Sequence, residues 1–344
     1  MTFQNKHQTI LFLALLTVVG SLWGCRSASE NEVIVYTALD QQFSEPHFKM
    51  FTEQTGIPVV PKFDTEANKT VGLTTAILAE KNRPRCDLFW NNEILNTLRL
   101  EKAGLLDVYF PKNRESFPAE FRSAEGHWSG FAARARVLII NTDKIKPADL
   151  PESIFDLADP AWKGQCGFAK PLFGTTATHA AVLFATLGEE KATQFFTDLK
   201  ANARMMPGNK QVALAVSNGQ LAFGLTDTDD AIIEIERGMP VAIVYPDQGA
   251  DQLGTLFIPN TLAIIKNGPN TKAAQQLVDY LLTAEVETAL SQGPSAQIPL
   301  NKNIDIELRV ESPQTIKSMQ VDFHEAANHW NTAAAQMEAL FLAP

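Results

Sequence analysis

Short apolar runs alternate with amphipathic segments through the first part of the chain. Val33–Thr37 has the pattern of a buried strand, and Phe43, Phe48 and Phe51 then recur at roughly helical spacing. The same alternation continues with strands at 57–63 and 87–90 and helices at 71–81 and 94–103. It predicts an α/β fold in which a parallel sheet is covered by helices on both faces.

Two long apolar runs, 134–141 and 254–265, interrupt this alternation. Each is long for one strand, so we interpret them as crossovers between two lobes. The region between them predicts three strands, at 166–169, 221–225 and 241–245. Its predicted helices are a helix and turn at 150–164, a long helix at 180–187 opened by 173–178, helices at 191–201 and 211–218, and a new helix that includes 232–235. Helices follow at 271–282 and 284–292, and 315–341 is mostly helical. The predicted units are lobe 1 at 32–133 plus 260–300, lobe 2 at 134–259, and a C-terminal helical cap at 301–344.

The N-terminus has the pattern of an export signal. Lys6 gives a positive start, and the apolar segment 10–19 is too short for a comfortable membrane span. Leu-Trp-Gly-Cys at 22–25 is similar to a bacterial lipobox, in which the thiol of Cys25 carries the lipid. We therefore expect a lipoprotein signal peptide at 1–24 and a small, polar tether at 25–31. A plain secretory signal remains the alternative.

Charge and cysteine content limit the possible partners. The chain has 344 residues and a formal net charge of −10, which argues against binding to nucleic acid or through a basic face to a membrane. Two cysteines of an exported protein could pair. Cys86 and Cys166 each adjoin an apolar run, however, which favours two free thiols in the core.

The most concentrated polar cluster follows the strand predicted at 221–225. Asp227, Asp229 and Asp230 lie between this strand and the start of a helix. Strand ends that lead into helices are where open α/β sheets place ligands. Helix capping by Thr226 or Asp227 is the simpler interpretation, because acids are common in a first turn.

A second cluster opens the helix predicted after Phe173. Gly174, Thr175 and Thr176 could bind an anion through hydroxyl and N–H groups, or one threonine could be the N-cap. Alternation along the strand places Arg134 and Arg136 on one face, where they could bind a ligand's acid or pair with the chain's own acids. Polar residues at strand ends or within the second long run complete the predicted ligand-binding set: Thr37, Asn91, Glu93 and Asn260.

Several motifs in order resemble an extracellular solute-binding protein of an ABC importer, of the ferric-iron-binding subgroup. They are VIVYTA…FTEQTGI, DLFWNNE, GFAARARVLIIN, DLADPAWKG, DYLLTAEVE and SAQIPLN, and they cover nearly the whole chain after the signal. The resemblance implies two lobes of the class II binding-protein type, joined by two hinge strands around a ligand cleft. It also implies permease and ATPase partners, a periplasmic or extracellular location, and no catalysis.

The resemblance also suggests where a metal would bind. Ferric-binding relatives commonly use a histidine, a glutamate and a tyrosine pair. Residues standing near those positions here are Asp40, Glu66, Asp229 and Asp230, and the four tyrosines of the chain do not form the pair. Carboxylates are hard oxygen donors that suit Fe³⁺ and also Ca²⁺, Mg²⁺ or Mn²⁺.

The sequence leaves three functional hypotheses. The first is a lipoprotein that captures ferric iron or a related cation as cargo for an importer, with no resident cofactor. The second keeps this role for a small phosphorylated, phosphonate or carboxylate solute. The third is a secreted hydrolase, which the sequence disfavours because neither G-x-S-x-G nor H-E-x-x-H occurs. We expect a monomer that is not an enzyme.

Overall fold

The computed structural model describes residues 32–64 and 71–342. The predicted signal peptide, the tether with Cys25, and Glu66 lie outside the described residues. Within those two ranges, no helix combines the length and the apolar character needed to cross a membrane.

The described residues form nine strands and ten α-helices. The strands are β1 (Val33–Thr37), β2 (Val59–Phe63), β3 (Leu88–Asn91), β4 (Ser129–Asn141), β5 (Cys166–Ala169), β6 (Arg204–Met206), β7 (Phe223–Asp227), β8 (Val241–Val244) and β9 (Phe257–Ile264). The helices are α1 (Gln41–Thr55), α2 (Val71–Ala79), α3 (Leu95–Lys102), α4 (Gly174–Leu187), α5 (Glu189–Asn202), α6 (Asn209–Ser217), α7 (Thr228–Glu236), α8 (Thr271–Leu281), α9 (Ala284–Gln292) and α10 (Phe323–Phe341).

One sheet runs through these elements in the order β2-β1-β3-β9-β4-β7-β5-β6, and β8 also pairs with β4. Strand β1 is parallel to β2 and to β3, as the βα alternation predicts. Strand β9 pairs antiparallel with β3, and β4 pairs antiparallel with β7. We call β1, β2, β3 and β9 with their helices the β1 half, and β5 to β8 with their helices the β7 half.

Strand β4 connects the two halves. Its first part pairs with β9 and its second part with β7 and β8. The register shifts between Phe131 and Arg134, and Ala132 inside this bulge has φ 45°. The predicted lobe boundaries at 133/134 and 259/260 fall inside β4 and β9, and they stay predictions.

Both faces of the sheet are buried, because successive side chains of a strand point to opposite faces. Val35 and Leu88 belong to the core on one face, whereas Tyr36 and Phe89 belong to the core on the other. A parallel sheet needs such cover on both sides, which explains why its strands are apolar runs. Cys86 and Cys166 are buried and unpaired, which confirms the preference for free thiols.

The C-terminal helix is shorter than predicted. It begins at Phe323 rather than at residue 315, because Asp322 caps it by accepting from the backbone N–H groups of His324 and Glu325 at 2.9 and 3.1 Å. Residues 301–322 contain no helix. Helix α10 packs against α3 of the β1 half and against α4 and α5 of the β7 half.

Candidate functional site

A polar cleft opens between the two halves, at the ends of β1, β3 and β7. Asp40 and Asn92 line it from the β1 half, and Arg134 reaches it from β4. From the β7 half come the starts of three helices: α4, α6 and α7. The empty volume is about 870 Å³, which includes space open to solvent. This volume is therefore an upper limit on the space for a bound ligand.

Asp227 occupies the N-cap position of α7 but does not cap the helix through its side chain. Its Oδ1 instead accepts a hydrogen bond of 2.6 Å from Nη1 of Arg136, which lies opposite it on β4. Arg136 is fully buried. Burial and then Arg136 lower the pKa of the nearby His179 to about 3, so this histidine is neutral. The simple capping interpretation is wrong for Asp227, which is the counter-charge of a buried arginine.

The threonines at the start of α4 are not caps either. The N-cap residue is Phe173, and Gly174 begins the helix with φ 60°, a conformation that favours glycine. Thr175 Oγ1 donates to Asp227 Oδ2 at 2.5 Å, and Thr176 Oγ1 donates to Asn209 Oδ1 at 3.1 Å. Both hydroxyls thus belong to the network around Asp227.

Asp229 and Asp230 lie in the first turn of α7 and face the cleft. Asp227, Asp229 and Asp230 each place one carboxylate oxygen within 4.8 Å of the other two. Asp40 lines the same cleft from the opposite half. Oxygen donors this close together can share a hard cation.

Arg134 lies among these acids. It is nearly fully buried, and its Nη1 is 3.6 Å from Oδ2 of Asp229. Burial alone would lower the pKa of Arg134, but the carboxylates of Asp229, Asp227, Asp40 and Asp230 together hold it above its usual value. The arginine therefore balances part of the negative charge that the cleft concentrates.

Other predicted site residues lie away from the cleft lining. Asn91 Nδ2 donates to Glu93 Oε1 at 2.8 Å, and Glu93 accepts from the start of α3. Asn260 accepts from Trp90 Nε1 at 3.4 Å inside the hinge region. Thr37 is fully buried at the end of β1. Their roles in binding, like that of Glu66, remain predictions.

Several cleft residues were not in the predicted binding set, among them Asn92, Lys170, Asn209 and Lys210. Asn92 is almost fully buried, lines the cleft, and its Oδ1 has no hydrogen-bond partner among the described residues. Lys170 follows β5, and Lys210 lies in the first turn of α6. The two lysines stand at a strand end and a helix start, the same signal that selected Asp227, so they could have been found.

Comparison with known proteins fits this architecture. The family model described as bacterial extracellular solute-binding protein matches residues 89–326. The chain belongs to this family. Its members are the solute-binding proteins of transport systems, and they bind their solutes outside the cytoplasm.

Individual relatives of this solute-binding protein include iron binders. The chain is 26% identical over 291 residues to iron uptake protein A1 of Synechocystis, and the match covers 80% of this chain and 79% of that protein. The crystal structure of iron-bound HitA from Pseudomonas aeruginosa superposes with a TM-score of 0.82 at 26% identity, covering 90% and 99%. AfuA of Actinobacillus pleuropneumoniae, solved with fructose-6-phosphate, shares the fold with a TM-score of 0.80 at 22% identity, covering 92% and 100%.

Proposed function

We propose that this chain is the substrate-binding component of an ABC importer and captures Fe³⁺, or a cation with similar preference for oxygen, in the cleft. The observation that carries the proposal is the pair Asp229 and Asp230, which faces Asp40 across the cleft. Similarity to iron uptake protein A1 and to iron-bound HitA supports ferric iron as the cargo.

The donor set suits such a cargo. Asp229 and Asp230 would supply carboxylate oxygens from the β7 half, and Asp40 would supply one from the β1 half. Glu66 is the predicted fourth donor. Anionic oxygen is what hard cations prefer, so carboxylates can stand where the relatives commonly have phenolates.

Donors on both sides of the cleft give the ligand a means to close it. A cation held by Asp40 and by Asp229 binds the closed arrangement more strongly than the open one, so it shifts the population toward closure. Strand β4 and the segment 245–256 that leads into β9 connect the two halves and are the parts that would bend. Arg134 would keep the empty cleft from carrying unbalanced negative charge.

The transport setting follows from the same role. The predicted lipid on Cys25 would hold the protein on the outer side of the cytoplasmic membrane, close to its permease. A permease would then accept the cargo from a monomeric binding protein, and an ATPase would drive its transport. No chemical step on the cargo is required of the chain.

A small organic solute with a phosphate, phosphonate or carboxylate group is the second candidate. The observation that favours it is the presence of Lys170 and Lys210 in the cleft wall beside the acids. Such a mixture suits a solute that carries both an anionic group and hydroxyl or amine groups. The fold itself does not select iron, since AfuA holds fructose-6-phosphate in it.

Thermal unfolding of the metal-stripped protein tests both candidates. The ligands are Fe³⁺–citrate, citrate alone, Mn²⁺, Ca²⁺, inorganic phosphate, fructose-6-phosphate and 2-aminoethylphosphonate. A ligand of the folded state alone stabilises it, by about 2.7 kcal/mol when its concentration is a hundred times its Kd. We expect the largest shift with Fe³⁺–citrate and almost none with citrate alone.

Two variants test whether the thermal shift with iron depends on the cleft. Asp229→Ala should abolish the iron shift, whereas Asp198→Ala on the exposed face of α5, where Asp198 Oδ1 accepts from Gln194 Nε2 at 2.9 Å, should keep it. A shift confined to the phosphorylated or phosphonate ligands, and lost in Lys170→Ala, would replace iron by the second candidate.

A further inference from the structure

Arg136 is a buried cation that needs an opposite charge beside it. A guanidinium stays charged in a protein, and Arg136 has no exposed surface. A buried cation without an opposite charge is strongly destabilising. His179, whose pKa is lowered by burial and by Arg136, cannot supply that charge, because an imidazole is either neutral or positive. Some anion must therefore face Arg136.

Three donors surround the anion that does face it. Oδ1 of Asp227 accepts from Arg136 Nη1 at 2.6 Å. Oδ2 accepts from Thr175 Oγ1 at 2.5 Å and from Asn209 Nδ2 at 2.9 Å. A guanidinium, a hydroxyl and an amide are also what a protein uses to bind a free carboxylate or phosphate. These three side chains come from three different elements, β4, α4 and α6.

The donor set exceeds what Asp227 accepts. Nε of Arg136 is buried and has no hydrogen-bond partner among the described residues. Asp227 therefore does not use every donor of Arg136.

We propose that Arg136, Thr175 and Asn209 form an oxyanion-binding site for a carboxylate or a phosphate, and that the chain's own Asp227 fills it. A tethered carboxylate competes at its effective concentration, which for attached groups reaches the millimolar range or more. Free anions at lower concentration are therefore excluded from this position.

This assignment makes Asp227 a determinant of cargo specificity. The anionic group of an organic solute would have to bind elsewhere in the cleft, for example at Lys170 or Lys210. Asp229 and Asp230 remain directed at the cargo, whereas Asp227 is committed to Arg136. The assignment concerns the occupant of one position, so it holds for either cargo and its test uses no cargo.

Chemical rescue of the full chain tests the assignment. Asp227→Ala removes the internal carboxylate and leaves a space that formate can enter. We expect Asp227→Ala to unfold at a lower temperature than the wild type in sodium chloride. We further expect 100 mM sodium formate, compared with sodium chloride at equal ionic strength, to raise its Tm by roughly 2 to 5 °C. Formate should leave the wild type unchanged.

Three variants make the result specific. Asp227→Asn still fills the position and should show no formate effect. Asp198→Ala, which removes an exposed aspartate, should show none either. The double variant Asp227→Ala with Arg136→Met removes both charges and should fold without responding to formate.

Three outcomes would overturn the assignment. The first is a folded Asp227→Ala chain with no formate response. The second is an equal response in the double variant or in the wild type. The third is an Asp227→Ala chain that stays unfolded in formate as in chloride, since a free carboxylate would then not replace the missing group.

Discussion

Thr178 Oγ1 donates a hydrogen bond of 2.8 Å to Glu93 Oε2, and the two residues come from opposite halves of the sheet. The same carboxylate accepts from the backbone N–H of Leu95 at 2.6 Å and of Asn96 at 3.0 Å. Glu93 therefore caps α3 and holds α4 at once. Since Gly174 begins α4 about one turn before Thr178, this bond lies close behind the cleft.

Replacing Thr178 by valine tests the importance of this bond. Thr178→Val keeps the shape of the side chain but removes a buried donor from a carboxylate. We expect the free energy of unfolding to fall by about 2 kcal/mol, measured by urea denaturation. Thr197→Val is the matched control, because the exposed Thr197 hydroxyl donates to the backbone carbonyl of Thr193 in its own helix. Equal stabilities of the two variants would contradict the prediction.

Arg134→Gln separates the two cargo classes. The arginine repels a cation held by Asp229, so its removal should tighten Mn²⁺ or Fe³⁺ binding by roughly tenfold, since about 1.4 kcal/mol of repulsion gives that factor. An anionic solute should instead bind more weakly. The measurement is calorimetric titration. Arg83→Gln is the control, because Arg83 is exposed in the turn after α2 and is not part of the cleft lining. Weaker cation binding in Arg134→Gln would count against the cation as cargo.

The sequence predicted the elements better than their pairing. Apolar runs gave β1 and β5 with their observed bounds, because a strand buried on both faces needs an uninterrupted run. Strand β6 was missed, since Arg204–Met206 is short and mostly exposed and has no apolar pattern to detect.

Position after a strand end predicted Asp229 and Asp230, whereas Arg134 was predicted from its place on the presumed hinge strand. The partner of Asp227 could not be predicted in the same way. Arg136 and Asp227 face each other because of the antiparallel register between β4 and β7, and that register follows from packing of the whole sheet. Asn91 and Asn92 stand together at the end of β3, so the strand-end signal alone did not separate Asn92, which lines the cleft, from Asn91.

Glu287 should give the stability of the protein a distinct pH dependence. Burial raises its pKa to about 7, although the backbone N–H groups of Leu300, Ala132 and Asn301 favour the charged form. The folded state then keeps a proton that the unfolded chain loses near pH 4.5. Stability contributed by this group is full below that pH and falls as the pH rises to about 7.

The variant Glu287→Gln removes that proton exchange. The difference in unfolding free energy between wild type and Glu287→Gln should decrease by about 3 kcal/mol from pH 4.5 to pH 8, since one pKa unit corresponds to about 1.4 kcal/mol. Urea denaturation at several pH values gives both curves, and the other titrating groups cancel in the difference. Parallel curves would show that Glu287 titrates normally.

Helix α10 should stabilise both halves through Trp330. This side chain is buried, its ring lies 5.1 Å from the guanidinium carbon of Arg99 on α3, and it lines a small cavity with Ala177 and Ala180 of α4. Trp330→Ala should therefore lower the free energy of unfolding by about 3 to 5 kcal/mol, because it leaves a cavity between the two halves. Trp330→Phe keeps most of the volume and should cost much less. A loss confined to the end of α10, with the global unfolding free energy unchanged in urea denaturation, would show that the helix is a peripheral addition.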